Sequence, residues 1–173
     1  MKILATVLGC AIFVSLVVVA FIYSRIYDYS TLHASNPIVS WALTEISDRS
    51  IAVRIANIVV PSGLDQPEVI QAGGQLFVEE HCWLCHRAPG LLPTAIAQGL
   101  DLPPTDLFSA SRQPSMQRMF WFIRNGVKMT AMPAFGESFS DDEIWSIAAF
   151  LKSAPGMSAQ EFARRTDRPP YPN

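Results

Sequence analysis

The hydrophobic pattern divides the chain near its start. From Ile3 to Ser24 no residue is charged, and these 22 residues match the roughly 20 that a helix needs to cross the hydrocarbon core of a bilayer. A cleaved signal peptide, the alternative, usually has a shorter apolar region of about 7–15 residues. Because apolar character continues past Ala20, we expect residues 1–24 to form an uncleaved transmembrane anchor that contacts lipid through residues 3–24.

Asn36-Pro37 predicts the start of a first helix after the anchor, since asparagine caps helices and proline suits their first turn. Pro61 should end it. One face of this helix carries Val39, Leu43, Ile46, Ser50 and Val53, of which all but Ser50 are apolar. The face could lie on a membrane surface or pack on the domain that follows. Because the charges of the helix are mixed rather than basic, packing on the domain is the favoured interpretation.

Two further segments carry apolar residues at helical spacing. One helix should begin within residues 65–68 and lead into Cys82. Its inward positions are Ile70, Gly73, Leu76 and Phe77. The next should follow Pro114 and end at Asn125-Gly126, since glycine commonly ends helices. Its inward positions are Met116, Met119, Phe120 and Ile123.

The last long helix has the clearest start signal. Ser140 can cap it, and Glu143 can complete a capping box. Its buried stripe should consist of Ile144, Ile147, Ala148 and Leu151. A short capped turn at Ser158 and an extended end at 168–173 follow, while residues 89–114 lack periodicity and are predicted to be loop.

No segment alternates as a strand does, so the predicted fold class is all-α. We divide the chain into an anchor at 1–24, a linker with an amphipathic helix at 25–64, a main domain at 65–155 and an extended C-terminal tail at 156–173. Composition excludes other classes: 50% hydrophobic residues exclude a disordered chain, and 13 Lys+Arg against 15 Asp+Glu exclude a basic nucleic-acid binder. Three cysteines are too few for a disulfide scaffold.

The motif with a specific chemistry is Cys82-Trp83-Leu84-Cys85-His86. Two thiols separated by two residues at a helix end can each add to a vinyl group of a haem, and the adjacent histidine then ligates the iron. A thioredoxin-like pair would need a βαβ context and a zinc site a second Cys/His cluster, and neither accompanies the motif. We therefore predict one covalent haem c on Cys82 and Cys85, with His86 as axial ligand. Three side chains could also reach a haem propionate, although a surface or core role is favoured for each: Arg112, Arg118 and Trp121.

The second axial position of the iron should be filled by a methionine. Met116 and Met119 lie on a helical stripe, which favours a core role, and Met157 follows the last long helix. Met129 and Met132 lie in the loop between two predicted helices. Because a proline follows Met132 and restricts the chain there, Met132 is the predicted ligand and Met129 the alternative.

Together these features resemble the class I c-type cytochromes, in particular the membrane-anchored bacterial cytochromes with a single haem. The resemblance covers roughly residues 65–155. It rests on the haem motif, on the preceding helix with Gly73 and Phe77, on residues 131–135 and on the helix at 140–151. It implies a cytochrome c-like haem domain behind an N-terminal transmembrane helix.

The resemblance also implies details of the domain. Its first and last helices should cross closely, with Gly73 or Gly74 permitting the approach and Phe77 and Phe150 in aromatic contact. A proline carbonyl, from Pro89 or Pro93, should accept a hydrogen bond from the ligand histidine. In this family haem is attached on the outer side of the bacterial inner membrane, which implies a cytoplasmic N-terminus and a periplasmic haem domain.

The predicted function is one-electron transfer without catalysis, because His/Met ligation leaves no open site on the iron. The carrier would serve a respiratory or photosynthetic chain. Its donor would be a quinol-oxidising complex or a dehydrogenase, and its acceptor an oxidase, a reductase or a reaction centre. One alternative is a permanent cytochrome subunit of a larger membrane oxidoreductase. A haem-based gas sensor, in which Met132 leaves the iron, is a third and weaker possibility.

Overall fold

The computed structural model describes residues 2–33, 35–112 and 115–167. The predicted end at 168–173, and Pro114 ahead of a predicted helix, lie outside these residues. The described residues contain eight helices and no strand, which confirms the all-α prediction. The chain divides into two compact units, residues 1–33 and 34–173.

The first unit is dominated by α1 (Lys2–Tyr23), a helix of 22 residues with no buried side chain. Among the described helices, α1 is the one that is long and apolar enough to cross a membrane. The hydroxyls of Thr6 and Ser15 donate to the carbonyl oxygens four residues earlier, at 3.0 and 2.9 Å. These bonds satisfy the two hydroxyls within the helix, which is what apolar surroundings require.

The second unit contains the remaining helices, several of which begin at the predicted caps. Asn36 Oδ1 accepts a hydrogen bond from the Ile38 backbone N–H at 2.9 Å. Ser140 and Glu143 form both hydrogen bonds of the predicted capping box. The helices are α2 (Pro37–Ile55), α3 (Pro67–Glu79), α4 (Trp83–His86), α5 (Ala95–Gln98), α6 (Met116–Asn125), α7 (Asp141–Lys152) and α8 (Ala159–Thr166).

The helices α3 and α7 cross in close contact. A Cβ on Gly73 would lie 1.9 Å from the carbonyl oxygen of Ser146, so glycine is required there. A Cβ on Gly74 would lie 3.1 Å from the ring of Phe150. The predicted close crossing is confirmed. The burial of α7 is greater than predicted, since every residue from 144 to 151 is buried rather than one stripe.

Four phenylalanines form the centre of the core beside this crossing. The ring centroids of Phe77 and Phe150 lie 5.6 Å apart, which confirms the predicted contact, and Phe108 lies 5.7 Å from Phe77. Phe162 of α8 completes the cluster, 5.5 Å from Phe108. The sequence predicted a short capped turn at Ser158 and an extended tail at 156–173. The chain instead forms the helix α8 there, in which Phe162 and Thr166 are buried.

The face of α2 that contacts the rest of the unit is not the predicted one. Ile51 is the buried residue of α2, and Asp48 forms an ion pair with Arg118 of α6. The stripe predicted to pack inward is exposed, with 37% of Val39, 48% of Leu43, 65% of Ile46 and 74% of Val53 accessible. The predicted helix is therefore present and packs on the rest of its unit. The prediction that it packs through its apolar stripe is wrong.

The end of α2 also differs from the prediction, because the helix stops at Ile55 rather than near Pro61. The following residues alternate as in an extended chain. Ile58 and Val60 pack against the core while Val59 faces solvent. The helix therefore ends before the segment in which Ile58 and Val60 pack against the core, and not at Pro61.

Candidate functional site

The cysteine–histidine motif forms the single turn of α4, directly after α3. The backbone N–H of Cys82 donates to the carbonyl of Phe77 at 3.1 Å, which fastens the motif to the end of α3. The backbone N–H of His86 donates to the carbonyl of Cys82 at 2.9 Å. One helical turn thus carries both thiols and the imidazole, and all three side chains are half-buried.

The imidazole of His86 is oriented by the carbonyl oxygen of Thr105, which lies 2.9 Å from Nδ1. Since a carbonyl oxygen only accepts, Nδ1 carries the proton and Nε2 keeps its lone pair for a metal. The expected proline partner is therefore wrong, and the Pro93 carbonyl accepts a glutamine side-chain amide instead, at 2.8 Å. The loop at 99–106 brings Thr105 beside the ring, directly after Pro104.

The titration of the motif residues fits a haem site better than a redox-active thiol pair. Burial lowers the pKa of the His86 imidazole, and the positive charge of Arg112 lowers it further against the opposing hydrogen bond to Thr105, so the ring is neutral and able to ligate. Burial and the Glu80 carboxylate raise the pKa of the Cys82 thiol to about 12. A thioredoxin-like pair would instead have a lowered pKa, because the thiolate is its nucleophile.

The loop that carries the predicted methionine ligand is fixed to the end of α6. Gly126 ends that helix with a φ of 63°, and a Cβ there would lie 2.8 Å from the Met132 carbonyl oxygen. The backbone N–H of Val127 donates to the same carbonyl at 3.1 Å. The backbone N–H of Phe135 donates to Ile123 of α6 at 3.0 Å. Backbone hydrogen bonds on both sides of Met132 therefore hold its position.

The two methionines of this loop have different environments. Met129 is 92% exposed and has a positive φ of 61°. Met132 is half-buried and packs against the hydrophobic core. Its backbone N–H donates to Thr130 Oγ1 at 3.1 Å, which fixes the residue locally. Of the two side chains, Met132 is the one that is directed into the protein and can meet a buried cofactor.

Arg112 provides a further test of whether these residues fit a haem. Its Nη1 atom is buried and has no hydrogen-bond partner among the described residues. A buried donor without an acceptor is costly, and a haem propionate is a carboxylate that would satisfy it. Arg118, in contrast, is paired with Asp48. The Arg112 nitrogen, the oriented imidazole and the two thiols together fit haem c.

A zinc site lacks the ligands it would require. The described residues contain no cluster of three or more His, Cys, Asp and Glu side chains that could hold a metal ion. The thiols and imidazole of the motif are therefore without the second cluster that a four-ligand site needs.

The match to a protein family agrees with this assignment. Residues 68–151 match the family described as cytochrome C oxidase, cbb3-type, subunit III. A solved structure, a chain of the Kuenenia stuttgartiensis reducing HAO-like protein complex Kustc0457/Kustc0458, is 23% identical and matches 58% of this chain with a TM-score of 0.46. The match covers 48% of that structure's chain. No curated protein sequence matches this chain.

The fold, the motif and the family match define a haem-binding electron-transfer domain. More specifically, residues 68–151 are a c-type cytochrome domain, which carries haem c through thioether bonds. These residues follow an apolar N-terminal helix that fits a membrane anchor. The domain is of a class that transfers electrons rather than converting a substrate.

Proposed function

We propose that the protein is a membrane-anchored one-electron carrier with a single haem c. Cys82 and Cys85 form the thioether bonds, His86 ligates the iron through Nε2, and Met132 is the second axial ligand. The observation that carries the proposal is the hydrogen bond from His86 Nδ1 to Thr105, which leaves Nε2 free. Arg112 would donate to a haem propionate through its unpartnered Nη1.

Rigid ligands are what one-electron transfer requires of this chain. Held by an imidazole and a thioether, a haem iron would have no open site for a substrate, and the thioether would raise its reduction potential relative to harder ligands. The hydrogen bond to Thr105 would hold His86 in one orientation in both oxidation states of the iron. The backbone bonds of Val127 and Phe135 hold the Met132 loop in the same way. Little rearrangement is then needed when an electron arrives or leaves.

The proposed location is the bacterial inner membrane, with α1 crossing it once. The N-terminus would lie in the cytoplasm and residues 25–173 in the periplasm, where c-type haem is attached. The 22-residue apolar length of α1 supports this arrangement. The donor would be a quinol-oxidising complex or a dehydrogenase, and the acceptor an oxidase, a reductase or a reaction centre, in a respiratory or photosynthetic chain.

A second candidate is a permanent subunit of a membrane oxidoreductase. The description of the matching family, an oxidase subunit, favours it. The two candidates differ in what remains bound after mild solubilisation of native membranes. A fixed subunit would co-purify with its complex at constant stoichiometry, whereas a carrier would separate from its partners.

Replacement of Met132 tests the proposed ligand set. In Met132→Ala the far-red band that a ferric haem owes to methionine ligation should disappear, the reduction potential should fall, and reduced protein should bind carbon monoxide. Met129→Ala is the matched control, since its side chain is exposed, and it should leave all three unchanged. If Met129→Ala, and not Met132→Ala, showed these three changes, the ligand would be Met129. Carbon monoxide binding by the unmodified protein would contradict the closed site and favour a sensor.

A further inference from the structure

Arg87, the residue directly after His86, has a backbone conformation that residues with a side chain rarely adopt. Its φ is 67° and its ψ is 173°, a region of backbone space that is populated almost exclusively by glycine. A glycine at this position would be free of the strain. Strain of this kind persists only where surrounding contacts enforce it, and it is concentrated at functional sites. The contacts of the Arg87 side chain therefore have to account for its presence.

The side chain of Arg87 forms an ion pair with Asp106. Arg87 Nη1 lies 3.0 Å from Asp106 Oδ2, and 40% and 39% of the two side chains are accessible. An ion pair this exposed contributes little to stability, because water and salt screen it and both side chains must be ordered. Stability alone therefore does not account for an arginine in a strained conformation.

The carboxylate of Asp106 is fixed on two sides. Its Oδ2 accepts from Arg87, and its Oδ1 accepts from the backbone N–H of Phe108 at 3.0 Å. The Phe108 ring is buried in the aromatic core. Asp106 thus joins the residue after His86 to a residue that the core holds in place.

The ion pair lies beside the hydrogen bond that orients His86. His86 and Arg87 are consecutive, and so are Thr105 and Asp106, so that two neighbouring bonds join the same two segments. Residues 103–106, which the structure describes, belong to no helix or turn. The Thr105 carbonyl therefore lacks the repeating backbone hydrogen bonds that would fix it within a helix, and its position depends on the contacts of neighbouring side chains.

We propose that the Arg87–Asp106 pair holds the Thr105 carbonyl against His86 Nδ1 and thereby keeps the imidazole in one orientation. Arg87 and Asp106 act through Thr105, so they are positioning residues. A firmly held hydrogen bond at Nδ1 makes an imidazole a stronger donor through Nε2. The strain at Arg87 is retained because a glycine would have no side chain to pair with Asp106. This inference rests on the proposed ligation of the haem iron by His86.

Exchange of the His86 Nδ1 proton in the full-length reduced holoprotein tests the proposal. The protein, made with isotope-labelled histidine and kept in detergent micelles, is transferred to deuterated water, and NMR follows the loss of the Nδ1–H signal. The proton exchanges when the bond to Thr105 opens. Arg87→Gly and Asp106→Asn should each accelerate the exchange several-fold. Asp106→Asn removes the charge but keeps a side-chain oxygen that can accept from the Phe108 N–H.

Asp141→Asn is the matched control. It breaks the Arg124–Asp141 ion pair, in which nitrogen and oxygen lie 2.9 Å apart and 45% and 60% of the side chains are accessible. This variant should leave the exchange rate unchanged. The Tm of Arg87→Gly should not fall below that of Asp141→Asn, because relief of strain offsets the loss of an exposed ion pair.

Three results of these measurements would overturn the proposal. The first is an unchanged exchange rate in Arg87→Gly and Asp106→Asn. The second is an equal acceleration in Asp141→Asn. The third is an acceleration that occurs only together with a lower Tm, since the pair would then be a general stabilising contact. A failure of the proposed ligation would show separately, as His86 ring signals that the haem does not shift.

The reduction potential is a second readout. Arg87→Gly and Asp106→Asn should both raise it, because a weaker hydrogen bond at Nδ1 makes His86 a poorer donor to ferric iron. The Arg87→Gly shift is decisive, since loss of a positive charge that acted directly on the iron would lower the potential. Shifts in opposite directions would therefore show that the two charges act directly, and they would overturn the positioning role.

Discussion

Gly73→Ala is the substitution that tests the α3–α7 crossing most directly. The added Cβ would lie 1.9 Å from the Ser146 carbonyl oxygen, whereas real Cβ contacts essentially never fall below 3.0 Å. The helices must therefore separate locally by at least the difference, 1.1 Å. The obstacle is backbone, so no side-chain rotation can relieve it. Because α3 leads directly into Cys82, the same displacement reaches the haem motif.

The expected cost follows from the weaker packing across the widened interface. A gap of about 0.5–1 Å removes roughly a quarter to a half of the dispersion energy of each atom pair. Phe77 and Val78 of α3 are fully buried at this interface, and overpacked cores generally lose about 1–3 kcal/mol. Alanine regains about 1 kcal/mol through its better helix propensity. Because the obstacle is backbone, we expect the upper end of that range, about 3 kcal/mol, so the net loss is about 2 kcal/mol. This is equivalent to a fall in Tm of about 8–16 °C for a domain of this size.

Thermal unfolding of the detergent-solubilised holoprotein, followed by far-UV circular dichroism and by haem absorbance, measures this loss. Gly99→Ala is the control, since its φ is negative and its Cβ would meet no atom closer than 3.5 Å. That variant should stay within about 0.5 kcal/mol of the original protein. A Gly73→Ala protein with the same Tm as the control would refute the argument that this crossing requires glycine.

Two further predictions concern the haem itself. The denatured protein should keep its haem through acid–acetone extraction, and freely extracted haem would contradict the thioether assignment. Cys82→Ser should lower the yield of mature holoprotein, because haem attachment and folding are coupled. Arg112→Gln should lower the reduction potential by tens of millivolts, because a positive charge near the iron disfavours the ferric state and about 59 mV is a tenfold change in a one-electron equilibrium. Potentiometric titration measures this shift, and an equal shift in Arg118→Gln, whose partner is Asp48, would show that the effect is not specific to the haem site.

The parts of the fold that sequence reasoning predicted are those with local signals. The capping box of Ser140 and Glu143 requires only residues three positions apart, and the stop at Gly126 requires one residue that tolerates positive φ. Gly73 and Phe77 were assigned to the α3–α7 crossing because the resemblance supplied the partner helix. The motif at 82–86 likewise carries its chemistry within five consecutive residues.

The parts that sequence reasoning missed depend on contacts between distant segments. The carbonyl that orients His86 comes from Thr105, 19 residues away, and every residue before it in the loop also offers a carbonyl. Backbone acceptors have no signature in the sequence, although Pro103-Pro104 marked the segment as conformationally restricted. Phe162 is a similar case. A single aromatic residue in a short polar helix gives no sign that it packs against three other rings.

The α2 stripe shows the limit of periodicity in another way. Spacing correctly grouped Val39, Leu43, Ile46 and Val53 on one face, yet that face is exposed and Ile51, outside the group, is buried. A repeat of apolar residues indicates that a face avoids water, but it does not identify what covers the face. A helix with apolar residues on both sides has two such faces, of which only one can pack on its own domain. Spacing therefore identifies faces that avoid water, and only the contacts of Ile51 and Asp48 identify the face that packs on the unit.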